Sequence, residues 1–221
     1  LVTPGNLPLQ SVNGEFEYST ETGFSSSKLA ATLWGNAVTA SLRQHHGGSD
    51  SEYDPATTVV DIELATRVEL ADVRRWLQLE RLSFASGRAA ADMSIRLAPG
   101  VPPVLTVSSD LQGVSLDLPA PWQKQAHEPQ QLRLAMPLAT GVTPLSIELG
   151  EQLRLRLDID DGAVRGGALG INEPAAVVEE GLLRITGFAP LIQADEWLAL
   201  AQQYFGEPEP LSETAASAAT V

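Results

Sequence analysis

Leu153-Arg154-Leu155-Arg156-Leu157-Asp158-Ile159-Asp160-Asp161-Gly162 is the stretch on which the reading of this chain turns. Leu153, Leu155, Leu157 and Ile159 take every second position, and charged residues fill the places between them. Side chains of an extended strand alternate between two faces, so this spacing sends all the apolar groups one way and the charges the other. A helix would scatter both kinds around its circumference. Asp161-Gly162 then supplies the dipeptide of a tight hairpin turn.

The same period recurs in both directions. Val60-Asp61-Ile62-Glu63-Leu64 alternates apolar with acidic residues, and Val68-Glu69-Leu70 resumes the pattern. Leu132, Leu134, Met136 and Leu138 share a face, and Leu145, Ile147 and Leu149 follow. Weaker runs begin at Phe16 and Tyr18 and at Leu29, the latter ending at Trp34 before a turn at Gly35-Asn36; Val38 to Leu42 returns. Ala89, Ala91, Met93, Ile95 and Leu97 form a strand stopped by Pro99-Gly100. Leu105 and Val107 start a longer one whose face switches near Gln112-Gly113, which predicts a β-bulge. The count is roughly ten strands, joined mainly by local turns, which is an all-β antiparallel pattern.

Two segments break the period. Asp72 to Leu77 predicts a short helix with Asp72 as N-cap, Trp76 and Leu77 facing in, and Arg74 and Arg75 in water. A second helix is expected over 195–205, with Asp195 as N-cap and Gly206 as its stop. Its apolar face would be Trp197, Leu198, Ala201, Tyr204 and Phe205. Each helix follows a strand and carries a Trp-Leu pair, as two copies of one device, a strand ending in a helical plug. Residues 45–55 are polar and predict a loop, and the Glu-Pro, Ser, Thr and Ala composition of 207–221 predicts a disordered tail.

Composition narrows the function. Of 221 residues, 28 are acidic and 14 basic, a formal charge of -14 that repels a polyanion, and no basic patch offsets it, so nucleic acid is not an expected partner. There is no Cys, hence no disulfide and no thiolate metal site. No apolar run reaches the ~20 residues that span a bilayer. No signal peptide opens the chain, and with Leu1 in place of an initiator Met it reads as a fragment or processed product of a larger protein.

Catalytic and metal motifs fail on context. Ser25 and Lys28 have the Ser-x-x-Lys spacing of β-lactam-binding serine enzymes, but in a loop-to-strand region with no Lys-Thr-Gly elsewhere. Asp158, Asp160, Asp161 and Gly162 resemble part of a calcium loop, yet Leu169 stands where the closing Glu should be. His45 and His46 are adjacent and point apart in an extended chain, and His127 is the only other His. No cofactor, metal or catalytic residue is expected, and an enzyme is not. The apolar stripes carry two readings: they bury one another in an ordinary core, or some line an open groove. Two small helices cannot cover ten strands, and that mismatch leaves the second reading open.

The phrase Val107-Ser108-Ser109-Asp110-Leu111-Gln112-Gly113-Val114-Ser115-Leu116-Asp117-Leu118-Pro119-Ala120-Pro121, followed by Lys124 and Ala126, resembles a signature of the YhdP-type, AsmA-like envelope proteins of Gram-negative bacteria. Gly14-Glu15-Phe16-Glu17-Tyr18 with Gly23-Phe24 and Leu33-Trp34-Gly35 is similar to another unit of that family. Gly187-Phe188 through Asp195, Trp197 and Leu198 resembles its strand leading into a Trp-bearing helix. The likeness spans residues 1–206 and departs at Trp122-Gln123, where a small residue or Gly is expected.

The resemblance implies a mainly β fold, an elongated, curved antiparallel sheet forming a groove or open barrel, with two short α-helices. It implies a periplasmic location within an inner-membrane-anchored protein, phospholipid as cargo, and the remainder of the same chain as partner at both sheet ends. The groove candidates are then Val60, Ile62, Leu64, Leu105, Val107, Leu132, Leu134, Met136, Leu145, Ile147, Leu153, Leu155 and Leu157. Trp76, Leu77, Trp197, Leu198, Tyr204 and Phe205 are the expected helix plugs.

Overall fold

The alternation at 153–159 folds as strand β11 (Leu153–Asp160), joined to β12 (Ala163–Ile171) through Asp161 and Gly162. Their φ angles of 48° and 76° are those of the type I′ turn that matches strand twist. A computed structural model of the chain describes residues 7–20, 22–46, 58–78, 83–189, 191, 193–197 and 199. The N-terminal strands are β1 (Leu9–Gly14), β2 (Glu17–Ser19), β3 (Gly23–Leu33), β4 (Asn36–His46) and β5 (Thr58–Glu69). Helix α1 (Leu70–Trp76) follows, and then β6 (Ala85–Leu97), β7 (Val104–Ser109) and β8 (Val114–Leu116). After β9 (Leu132–Pro137) and β10 (Thr143–Leu149) come β11 and β12, and β13 (Leu183–Gly187) is the last strand.

These strands make one 13-stranded sheet in the order β1-β3-β4-β5-β6-β7-β9-β10-β11-β12-β13, with β2 against β3 and β8 against β6. Every pairing is antiparallel except β12 with β13, which is parallel. Paired residues project to the same face, so the register shows what each face carries. Leu29, Ala40, Leu64, Met93, Val107, Leu134, Ile147, Leu155, Leu169 and Ile185 stand opposite one another in successive strands. One apolar row therefore crosses the sheet from β3 to β13. Asp61, Glu63, Arg67, Asp92 and Arg96 project from the other face.

The sheet is strongly curled around α1. The Cβ that a side chain at Gly162 would carry falls 2.5 Å from the Cβ of Gln78, just past α1. In the sheet order, β5 and β11 are five strands apart, and the β11–β12 turn lies at the opposite end of the strands from Glu69. On a flat sheet that path is roughly 40 Å, whereas the nine steps from Glu69 to Gln78 cover about 14 Å as helix. The apolar face is therefore the inner, concave one.

Several expectations are corrected. The long strand with a bulge at Gln112-Gly113 is two strands, which pair with different parts of β6: β7 with Asp92–Arg96 and β8 with Ala85–Gly87. Between them Leu111 and Gly113 both have positive φ, so the chain breaks and re-aims instead of bulging. The β3–β4 turn is Trp34-Gly35, because Leu33 already pairs with Asn36. Helix α1 starts at Leu70, and Glu69 takes the N-cap position without a side-chain cap bond. Asp72 is inside the first turn, where its carboxylate accepts a hydrogen bond from Arg75 at 2.7 Å. The second helix includes Ala194, and the Trp197 amide donates to the Gln193 carbonyl, which places Asp195 in the first turn. His45 and His46 belong to β4, not to a loop, and His45 Nδ1 lies 3.6 Å from Asp61. The rest of that expected loop, and residues 207–221, lie outside the described residues.

Candidate functional site

The inner face is the candidate site, and burial divides it. Of the thirteen groove candidates, Leu64, Leu105, Met136, Leu145 and Leu157 are buried, three of them (Leu105, Met136 and Leu145) only 1% exposed. Val60, Ile62, Val107, Leu132, Leu134, Ile147, Leu153 and Leu155 are half-buried. A single sheet cannot bury its own face this deeply. Trp76 and Leu77, both buried, belong to the same packed cluster as Leu105, Met136, Leu145, Leu157 and Ile159, and the Trp76 ring sits 5.9 Å from Trp34. Helix α1 thus fills the middle of the trough. Arg74 helps to hold it by donating to the Ala85 carbonyl at the start of β6.

Away from α1 the inner face opens. Leu183 and Ile185 on β13 are 50% and 59% exposed, beside half-buried Leu169. At the other side Tyr18 and Phe24 pair across β2 and β3 with ring centroids 4.9 Å apart, and they are 61% and 53% exposed. Alternation from Ser26, the partner of Leu42, places both on the inner face, and Leu97 on β6 extends that patch. Leu183 and Ile185 escape a sequence reading because β13 is only five residues long. A depression of about 500 Å³ opens on the other face, among residues that include Thr39, Ser41, Glu63, Asp92, Ser94 and Thr106. Hydroxyls and carboxylates suit water there, so this volume is no part of the apolar trough.

The signature phrase builds a cap over one end of that face. Ser109 Oγ donates to the Ala90 carbonyl and accepts from the Leu111 amide, and Asp110 Oδ1 accepts from the Gln112 amide. At Gly113, φ is 99° and an added Cβ would fall 2.2 Å from the Arg88 carbonyl oxygen, so the loop presses directly on β6. Lys124 is 4% exposed, and its ammonium donates to the carbonyls of Leu111, Val114 and Gln125. Desolvation pulls its pKa below the ordinary 10.5, while Glu128 and Asp110 act in the opposite sense. Leu111, Val114 and Leu116 pack with Ala89 and Leu149 as a second cluster, against which Leu132 and Leu153 rest. The phrase is thus a structural staple, and Leu132 and Leu153 lie beneath it.

Trp122, where the family resemblance breaks, is buried and meets Trp197 edge-on at 5.4 Å. Trp197 therefore rests on the cap. Leu198, Tyr204 and Phe205 lie outside the described residues. Ser25 and Lys28 fall within β3, and Asp160 accepts a hydrogen bond from Arg165 at 2.8 Å. Among the described residues no three His, Asp or Glu side chains are grouped to hold a metal ion. No helix there is long and apolar enough to cross a membrane.

No curated protein and no solved structure matches this chain. The family whose pattern it does match is described as YhdP protein, and the match runs over residues 1–220. The curled sheet, its apolar inner face and the cap built from the signature phrase are therefore features of a chain that belongs to the YhdP family.

Proposed function

We propose that this chain is a periplasmic segment of a bridge-like lipid transporter of the AsmA-like kind, shielding phospholipid acyl chains along its inner face between the inner and outer membranes. The observation that carries the reading is the apolar row from Leu29 to Ile185, continuous across ten strands. Neighbouring strands are about 4.8 Å apart, so the half-covered part from Val107 to Ile185 is about 24 Å long, the length of an extended acyl chain. Such a face makes no hydrogen-bonding demand on a sliding hydrocarbon, and the acidic outer face keeps the segment in water. Membrane anchorage and any energy source belong to other parts of the protein, and the chain carries out no chemical step.

Mass spectrometry of organic extracts from the purified chain tests this reading. Co-purifying phospholipid at near-stoichiometric amounts supports it, and a lipid-free preparation that also fails to take up added phospholipid contradicts it. A second reading, a scaffold that binds partners by strand addition, is favoured by β13, an edge strand with two exposed large apolar residues.

A further inference from the structure

We propose that helix α1 is a built-in competitor for the acyl chain, a plug that closes the centre of the trough when it is empty and leaves when lipid crosses. The proposal rests on the lipid reading above and names the regulation of that same site. Three observations carry it. Leu33, Leu105, Met136 and Leu145 on the inner face, each 1% exposed, cluster with Trp76 and Leu77, while the same face is exposed at Ile185 and at Phe24. A chain following the face from one open side to the other meets the helix midway.

The second observation is how α1 is held. Seven residues without a side-chain N-cap make a helix whose stability in isolation is marginal, so α1 persists through what it packs on. Among the described residues, Arg74 reaches the Ala85 carbonyl, and Asp72 pairs with Arg75 of the same helix. The third is the chemistry of the exchange. An indole and an isobutyl group share one packed cluster with the leucines and methionine that acyl methylenes would cover. Replacing one apolar occupant by another keeps that surface out of water, so the exchange costs mainly the exposure of Trp76 and Leu77, which the incoming acyl chain offsets by its own burial.

Hydrogen exchange on the whole chain, with and without a phosphatidylethanolamine bearing an NBD-labelled acyl chain, tests the plug. Binding is read separately from the NBD fluorescence. The expected result is that lipid binding causes a loss of protection at the amides of residues 70–78 while strands β9 to β11 stay protected. A Q78C/G162C pair supplies a reversible lock in a chain with no other Cys. The oxidised form should bind less lipid than the reduced form and keep α1 protected. Lipid binding that leaves α1 as protected as before, or equal binding by both forms, overturns the plug and leaves the lipid reading standing. If neither wild type nor the reduced pair binds the probe, both readings fall together. The wild-type measurement decides the matter even where the strained turn at Gly162 prevents the disulfide from forming.

Discussion

Gln78 and Gly162 are 84 positions apart in sequence, yet the side chain of one occupies the space that a side chain on the other would need. A Cβ at Gly162 would lie 2.5 Å from the Cβ of Gln78 and 2.8 Å from its Oε1. This contact joins the end of α1 to the β11–β12 turn and fixes how far the sheet closes. The same turn needs φ of 76° at Gly162, so two constraints fall on one residue.

Gly162→Ala should therefore cost more than the turn geometry alone. Gly100 has a similar φ of 74° with nothing within 4 Å of an added Cβ, and it serves as the control. Left-handed strain makes Gly100→Ala about 1–2 kcal/mol destabilising. The overlap with Gln78 brings Gly162→Ala to about 2–4 kcal/mol. Urea unfolding of both variants measures the difference, and equal losses would mean that α1 does not reach the turn.

Lys124→Met should cost about 3 kcal/mol, because it leaves the Leu111, Val114 and Gln125 carbonyls without their donor. The pH dependence follows from the direction of the shift. With the folded pKa below 10.5, the unfolded chain holds more protons between the two values, so Lys124 contributes more stability as pH rises through that window. The stability gap between wild type and Lys124→Met should widen as pH rises toward 10.5. A gap that narrows means the three hydrogen bonds outweigh desolvation and hold the pKa up.

Leu145 and Leu155 separate fold from site. Leu145 is 1% exposed, and Leu145→Ala should lose about 2–5 kcal/mol in a thermal or urea melt. Leu155 is half-buried in the apolar row, so Leu155→Asp should leave a cooperative transition and a β-type circular dichroism spectrum while lowering phospholipid uptake. Outright unfolding by Leu155→Asp favours the scaffold reading.

Trp122→Ala should remove the face on which Trp197 rests, at about 3–5 kcal/mol for the buried ring and its edge-on partner. Amide exchange at residues 194–197 should quicken in this variant more than exchange in β11. Unchanged protection at 194–197 would show that other contacts hold that helix.

Much of the fold could be read from residue order because strand alternation is a local property. Leu153 to Ile159 and Val60 to Leu64 are each long enough to show a period of two, and Asp161-Gly162 marks its own turn. What failed was set by contacts distant in sequence. Whether Leu105 and Val114 lie in one strand depends on which part of β6 each meets, and nothing near Gln112 encodes that. Asp72 has the chemistry of an N-cap, but β5 ends at Glu69 and α1 begins directly, so packing of Leu70 and Trp76 outweighed capping. The candidate site was half legible. Alternation shows that Leu145 and Leu155 share a face, but only the position of α1 decides that one is covered and the other partly open.

The central claim is that the inner face, and not the outer one, holds acyl chains. A photo-reactive amino acid at Leu155 or Ile185, compared with one at the outward-facing Arg156, tests it most directly in cells that make the full-length protein. The account predicts cross-links to phospholipid from Leu155 and Ile185 and none above background from Arg156. Equal labelling from both faces, or labelling from neither, would contradict it.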